Sequence, residues 1–228
     1  MPNWVYNGLT VEGNPESVTK LVNQMNQPFE VMHDSYDMDT GKFIKKDVLY
    51  SAPIFAFWNI VKPTDLESYN KQPDRSLPIQ EQLKFQSDYW YDWNIRNWGV
   101  KWDVAISEES KYSNTYMEGP TENGDNLVVY YNFETAWGVA DEALIKLSSQ
   151  YPDLLFTLSF EEETGWGGEW EFLRGEIISQ SEYETKCNEC DEYNTMGYCE
   201  DCENDVCSMC YFGAEEECET HKELIASV

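Results

Sequence analysis

The stretch "NLVVYYNFETAWGVADEALIKLSSQYPDLLFTLSFEEE", residues 126–163, decides the fold, because it contains a strand, a helix and a second strand in succession. Residues 126–135 are rich in β-branched and aromatic side chains, which predicts a strand. Residues 136–152 predict a helix whose inward face carries Val139, Ala143, Leu144 and Leu147. Residues 154–163 predict the next strand, which forms an antiparallel pair with residues 167–178.

The first third of the chain predicts a similar order. "WVYNGLTVEG", residues 4–13, is expected to form a strand, and Asn14 and Pro15 begin a helix. The apolar stripe of that helix consists of Val18, Leu21, Val22 and Met25. Further strands are predicted at 46–53 and 54–63, a helical segment at 76–98, a short strand at 99–107 and a polar loop at 110–124.

This order of elements predicts an α+β fold. A strand–helix–strand unit is followed by a helical insertion, a second strand–helix–strand unit and one more strand. Two split βαβ units form a ferredoxin-like sandwich. We therefore expect a ferredoxin-like domain with an insertion over residues 1–180 and a separate small lobe over residues 181–228.

Three blocks of the chain resemble the YubB-like ferredoxin-fold domains of phages and plasmids. The blocks are "MPNWVYNGLTVEG" (1–13), "YDWNIRNWGVKWD" (91–103) and "ETAWGVADEALIKLSSQYPDLLFTLSFEEETGWGGEWEF" (134–172), and they occur in the family's order. The chain departs from the family at Val5, where a cysteine is usual, and in its cysteine-rich end. The resemblance implies a ferredoxin-like core and a mobile-element origin, and it brings no activity and no site residues.

All seven cysteines lie in the last 42 residues, beginning with "CNECDEYNTMGYCEDCENDVCSMC" at 187–210. With one histidine they form four pairs, each separated by two residues, which are Cys187 and Cys190, Cys199 and Cys202, Cys207 and Cys210, and Cys218 and His221. Eight such ligands predict two tetrahedral zinc sites with no open position, so the zinc is expected to be structural. A disulfide framework would leave one cysteine over, and a redox motif needs a single CxxC pair.

The spacing of the first six cysteines resembles a ZZ-type cross-brace zinc finger. That resemblance implies that Cys187, Cys190, Cys207 and Cys210 share one ion. The second ion would then bind Cys199, Cys202, Cys218 and His221. The last pair departs from the family's two histidines, and sequential pairing of the ligands stays open.

The charge favours a cationic partner. The chain has 43 acidic and 15 basic residues, a formal net charge of −28, and residues 161–228 contain 20 of the acidic and three of the basic ones. Such a field repels phosphate, so direct binding to nucleic acid or to an anionic membrane is not expected. Charge that merely keeps the protein soluble is the alternative.

Catalysis is not expected. Glu161, Glu162, Glu163, Glu169 and Glu171 are the best candidates for acid–base work or for magnesium, but alternating glutamates on the solvent side of a sheet are commoner. His33 is expected in a loop or a packed surface position. The aromatic block at 89–102 is expected to pack mostly against the sheet, with one or two rings at the surface.

The leading hypothesis is a non-catalytic phage or mobile-element protein in the host cytoplasm. Its acidic surface would block the basic, nucleic-acid-binding face of a host protein, as a nucleic-acid mimic does. One alternative is a zinc-finger adaptor that captures a basic peptide or chain terminus through Glu189, Asp191, Glu192, Asp201 and Asp205. Another is a metal-dependent hydrolase or nuclease that uses the carboxylates of Glu161–Glu171. The chain contains neither a signal peptide nor an apolar run of membrane-spanning length, which also favours a cytoplasmic protein.

Overall fold

A computed structural model of the chain describes residues 3–38, 40–71, 88–108, 114–163, 165–184, 195–199 and 204–207. Ten strands are found in this part: β1 Trp4–Gly13, β2 Phe29–Asp37, β3 Lys42–Tyr50, β4 Tyr116–Asn123, β5 Asn126–Ala136, β6 Leu155–Glu162, β7 Trp166–Leu173, β8 Glu176–Glu184, β9 Thr195–Cys199 and β10 Asn204–Cys207. The helices are α1 Pro15–Met25, α2 Leu66–Asn70, α3 Trp90–Trp98 and α4 Asp141–Gln150, with a 3₁₀ helix at Phe57–Asn59.

Six strands form one antiparallel sheet in the order β4-β5-β1-β6-β7-β8. Strands β5 and β6 are joined through α4 and lie on either side of β1, which is a split βαβ unit. Strands β1 and β4 likewise flank β5, and α1 lies between them in sequence. The predicted α+β class and the two split units are confirmed. Strands β7 and β8 extend the sheet beyond them.

The two long helices cover one face of this sheet. Helix α1 begins as the sequence predicts, since the Asn14 side chain accepts a hydrogen bond from the Ser17 N–H at 2.9 Å and Pro15 occupies the first turn. Helix α4 buries its predicted apolar face. The side chains buried between helices and sheet include Val18, Leu21, Met25, Val129, Phe133, Leu144, Leu147, Phe156 and Leu158.

The second strand of the first split unit is not where the sequence predicted it. Strand β4 fills that place, although residues 110–124 were expected to be a polar loop. Nearly all of β4 is exposed, because among the described strands it lies at the edge of the sheet and has β5 as its one partner. An edge strand needs no apolar alternation, so its sequence carries no strand pattern. Its place is set by pairing with β5.

The predicted strands at 46–53 and 54–63 are also corrected. Residues 46–50 belong to β3, which within the described residues pairs with β2 alone, in a separate hairpin. Residues 54–63 contain the 3₁₀ helix, and Ile54 has a left-handed φ of 64°. This apolar segment is not in a strand, and Phe55 and Phe57 are fully buried against Phe133 of β5.

Residues 99–107, predicted as a short strand, form irregular chain instead. The side-chain carboxylate of Asp103, within this segment, explains part of its irregular conformation. It accepts hydrogen bonds from the backbone N–H groups of Phe57 at 2.9 Å and Trp58 at 2.8 Å. These two N–H groups at the start of the 3₁₀ helix would otherwise have no partner within the helix. Burial raises the pKa of Asp103 to about 6, and these hydrogen bonds oppose that shift.

Helix α3 confirms that most of the aromatic block is packed. Trp98 is buried and its indole N–H donates to the Val61 carbonyl at 3.1 Å. The helix lies against α2 and α4, and Lys146 of α4 donates to the Asn97 carbonyl at 2.7 Å. The sequence predicted that this aromatic block packs against the sheet, whereas these contacts of α3 are with neighbouring helices. Tyr91 and Trp102 remain exposed.

Residues 167–178 were predicted as one strand and are two. Arg174 and Gly175 both have positive φ angles, 56° and 82°, and form the turn between β7 and β8. Strand β8 runs past residue 180, the predicted domain boundary, to Glu184. The division at that residue stays a prediction.

Candidate interaction surface

The face of the sheet opposite the helices carries three rows of side chains that run across the strands. The pairing registers place Glu134, Tyr6, Glu161, Gly167 and Tyr183 in the first row. The second row contains Tyr116, Asn132, Gly8, Ser159, Glu169 and Ser181. The third contains Glu118, Tyr130, Thr10, Thr157, Glu171 and Ser179. We call these three rows the open face.

The open face combines acid with tyrosine. Five of its positions are glutamates, four are tyrosines, and none is lysine or arginine. A shallow, open groove of about 570 Å³ runs across its middle, with Tyr6, Tyr130, Glu161, Glu169 and Tyr183 among its lining residues. Such a surface attracts cations and offers them aromatic rings.

Two tyrosine side chains of the open face lie directly over glycines, Tyr130 over Gly8 and Tyr183 over Gly167. A Cβ atom at Gly8 would lie 2.6 Å from the Tyr130 hydroxyl, and one at Gly167 would lie 2.5 Å from the Tyr183 ring. Both rings therefore lie close over backbone that has no side chain. A side chain at either glycine would therefore displace the tyrosine above it.

The carboxylates act on these tyrosines. Burial raises the pKa of Tyr6, and the nearby carboxylates Glu163 and Glu134 raise it further. Burial and Glu161 raise the pKa of Tyr183 in the same way. Negative charge near a phenol disfavours the phenolate, so both hydroxyls remain hydrogen-bond donors at neutral pH.

The five glutamates considered for catalysis are divided between the two sides of the sheet. Glu161, Glu169 and Glu171 lie on the open face, and the residues that oppose them across the β6–β7 pair are Gly167, Ser159 and Thr157. Glu162 points to the other side and is buried, and Glu163 follows the end of β6. Among the described residues, no three His, Cys, Asp or Glu side chains lie close enough together to hold a metal ion.

The predicted zinc ligands lie mostly outside the described residues, namely Cys187, Cys190, Cys202, Cys210, Cys218 and His221. Cys199 ends β9 and Cys207 ends β10, and in this hairpin Asn204 pairs with Cys199 while Cys207 pairs with Thr195. At about 3.3 Å per residue, four residues along a strand separate the Cα atoms of the two cysteines by roughly 13 Å. Zinc–sulfur bonds of ~2.3 Å cannot span this separation, so these two cysteines cannot share one ion. Cross-brace and sequential pairing both satisfy that condition.

His33 lies in β2, where a loop or surface position was expected. Its side chain is exposed, and its Nε2 atom is 3.0 Å from the Tyr50 hydroxyl. Four of the five carboxylates proposed for peptide capture lie outside the described residues, namely Glu189, Asp191, Glu192 and Asp201. The fifth, Asp205, is a residue of β10.

The tyrosines of the open face were missed from sequence. A signal was present, because Tyr6, Tyr130 and Glu134 alternate with apolar residues along two predicted strands. What the sequence lacked was the strand order, which brings β4, β5, β1, β6, β7 and β8 side by side.

Comparison with known proteins supports the fold. Residues 114–220 match the family model described as the ferredoxin-like domain in Api92-like protein, so the predicted ferredoxin-like domain is confirmed. The crystal structure of the protein Api92 from Yersinia pseudotuberculosis is similar over 81% of this chain and 99% of that chain, with 11% sequence identity and a TM-score of 0.40. No curated protein matches the chain. In the described part of the chain, no helix is both long and apolar enough to cross a membrane.

Proposed function

We propose that the protein is a non-catalytic binding protein whose open face covers a basic surface on a partner protein. The observation that carries this proposal is the composition of the open face, where five glutamates and four tyrosines share one surface without a lysine or arginine. The partner would be a host protein that uses the same basic surface to bind nucleic acid. Binding would therefore inhibit that protein, as a nucleic-acid mimic does.

Electrostatics supports a cationic partner over any other. On the open face, Glu161 and Glu169 are diagonal neighbours on paired strands, and Glu169 and Glu171 are two residues apart on β7. At strand spacings of about 4.8 Å across and about 3.3 Å per residue along a strand, such like charges repel one another. A partner's lysines and arginines relieve this repulsion when they bind. The net charge of −28 adds long-range attraction that speeds encounter with a basic surface.

The origin of the protein supports a host target. Its resemblance to YubB-like domains of phages and plasmids suggests a mobile element, for which host defence and transcription proteins are natural targets. A host target is an analogy with the family, whereas the basic partner surface follows from the chemistry of the open face.

The test is a capture experiment with two matched triple variants. Glu134→Gln, Glu161→Gln and Glu169→Gln neutralise the open face, whereas Glu30→Gln, Glu67→Gln and Glu108→Gln remove the same charge from exposed positions elsewhere. Wild type should capture nucleic-acid-binding proteins from host lysate, and capture should weaken as salt rises. The first triple should lose most of this capture and the control triple should keep it. Equal loss in both triples, or capture that ignores salt, would contradict the proposal.

The cysteine-rich segment is proposed to be a structural clip with two zinc ions. The separation of Cys199 and Cys207 in the β9–β10 hairpin supports two ions, because one ion cannot bind both. Metal analysis should give two zinc ions per chain, and Cys207→Ser should lower that number. Zinc chelation should leave the melting transition of the six-stranded sheet in place, since the sheet has its own core. Disulfides or no metal in the freshly purified protein would contradict the clip.

A further inference from the structure

One lysine has its charged group among aromatic rings. The Lys101 Nζ atom lies 4.1 Å from the centre of the Trp102 ring and 4.8 Å from that of Trp137. It is also 5.7 Å from the Tyr91 ring and 5.9 Å from the Trp90 ring. A cation within about 6 Å of a ring centre is attracted by the negative face of that ring. Four rings therefore surround one ammonium group, and we call them the ring cage.

The ring cage opens to solvent. Trp102 is 39% exposed, Tyr91 42% and Trp137 52%. Trp102 and Trp137 stack at 5.8 Å, and the Trp4 ring lies 6.2 Å from Trp102. A partner can therefore reach the rings from outside without disturbing the buried core.

Strain in the backbone supports a role for Trp137 beyond packing. Its φ angle is 66°, in the left-handed region, which is strained for a bulky side chain. A hydrogen bond from its N–H to the Asn3 carbonyl, 2.9 Å long, fixes this conformation. The result is a large, half-exposed indole held at the rim of the cage.

It is unusual that a lysine of so acidic a chain is held by aromatic rings. Acidic residues outnumber basic ones by 43 to 15, yet among the described residues no carboxylate forms a salt bridge with Lys101. Burial lowers the pKa of its ammonium group. The backbone at this lysine is fixed, because the Asn94 side chain donates to the Lys101 carbonyl at 2.8 Å. Ring faces, and no salt bridge within the described residues, thus hold this ammonium group, which is the arrangement of an aromatic cation cage.

The ring cage adjoins the open face. Trp4 is two residues before Tyr6 on β1, and the two side chains point to the same side of the sheet. Glu163, which raises the pKa of Tyr6, donates its N–H to the Trp4 carbonyl at 3.2 Å. A basic surface that covers the first row of the open face would therefore reach the cage as well.

We propose that the ring cage is a binding site for an alkylammonium group, which Lys101 fills in the free protein and a partner's lysine side chain fills in the complex. Lys101 then acts as an internal competitor that leaves the cage on binding. The role of the partner rests on the proposed function, whereas the affinity of the cage for a cation does not. The experiment therefore begins with a small probe.

The probe is tetramethylammonium chloride, titrated at constant ionic strength and followed by the indole N–H signals in NMR spectra. Lys101→Ala empties the cage and should bind the probe at least about tenfold more tightly than wild type. Trp137→Ala in the Lys101→Ala background should abolish this binding. Lys20→Ala is the matched control, because Lys20 lies 5.9 Å from the Tyr151 ring, outside the cage, and it should behave as wild type.

A neutral probe of nearly the same size and shape, tert-butanol, separates cation recognition from apolar contact. It should bind Lys101→Ala much more weakly than tetramethylammonium does. Equal binding of the two probes, or no gain over wild type in Lys101→Ala, would overturn the cage. Should Lys101→Ala fail to fold, Lys101→Gln removes the charge with a longer side chain and must give the same gain.

The link to the partner is tested separately by capture from host lysate. Trp137→Ala should weaken the affinity for the captured partner at least about tenfold. This is the same factor by which Lys101→Ala is expected to strengthen the binding of tetramethylammonium. A cage that binds tetramethylammonium while Trp137→Ala leaves capture unchanged would overturn the partner's lysine as its occupant. Failure of the proposed function differs from this, since capture would then be insensitive to the open-face glutamates as well.

Discussion

The two faces of the six-stranded sheet come from the same strands and have opposite chemistry. On β5, Phe133 is fully buried and stacks on Phe55 with ring centres 5.2 Å apart. The next residue, Glu134, points the other way and lies beside Tyr6 on the open face. Stability and recognition are thus assigned to alternate residues of one strand. Substitutions one position apart should therefore affect different properties.

The largest effect is expected from this adjacent pair. Phe133→Ala removes a fully buried ring that contacts Phe55 and Phe57, and should lower the free energy of unfolding by about 3–5 kcal/mol. Glu134→Gln, one residue away, keeps an oxygen that can accept from the Asn114 side chain and should change it by less than about 0.5 kcal/mol. Urea unfolding of the two variants measures both values. Similar losses would show that the two faces are not separate in their energetics.

Two glycines give the next comparison. A Cβ at Gly168, on the helix-covered side of β7, would meet the Ser181 carbonyl oxygen, which is backbone and cannot yield. A Cβ at Gly8, on the open face, would meet the tip of the Tyr130 side chain, which can move. We expect Gly168→Ala to cost about 2–3 kcal/mol and Gly8→Ala about 1 kcal/mol or less.

The control for this pair is Tyr130→Phe, which removes the hydroxyl that a Cβ at Gly8 would meet. In that background the cost of Gly8→Ala should shrink, while the cost of Gly168→Ala should stay the same. Equal costs for the two glycine substitutions in wild type would count against a yielding open face.

The smallest effect on stability should come from the open-face glutamates. Replacing Glu134, Glu161 and Glu169 by glutamine removes repulsion between like charges and leaves an amide oxygen at 134 that can still accept from the Asn114 side chain. The free energy of unfolding should therefore rise slightly, by less than about 1 kcal/mol. Thermal melts at low and high salt test this, since screening should erase the gain. A clear loss of stability would mean that these carboxylates make structural contacts that glutamine cannot keep. Their expected role is in binding.

The sequence predicted the elements whose pattern is local. Helices α1 and α4 and strands β1, β5 and β6 were found because their apolar residues repeat with the period of a helix or bury one face of a strand. Strand β4 was missed because its sequence, "YMEGPTEN", has no apolar face and is ordered by pairing with β5 alone. The apolar run at 54–63 was wrongly predicted as a strand, because it is buried in the core without joining a sheet.

The candidate site follows the same division. Its glutamates on β6 and β7 were visible as an alternating pattern, and the sequence favoured a solvent-facing surface over a catalytic one. The combination of Tyr6, Tyr116 and Tyr183 on one surface was not visible, because they belong to strands far apart in sequence. Only the strand order unites them.

The most direct test of the open face as the binding surface is oxidative side-chain footprinting of the complex with the captured partner. Tyr6 and Tyr183 are 49% and 51% exposed in the free protein, and Tyr116 is 44% exposed, so all three should react. Binding should protect these three tyrosines and leave Met38, which is 85% exposed on the β2–β3 hairpin, as reactive as before. Protection of Met38 with the three tyrosines still reactive would contradict the account.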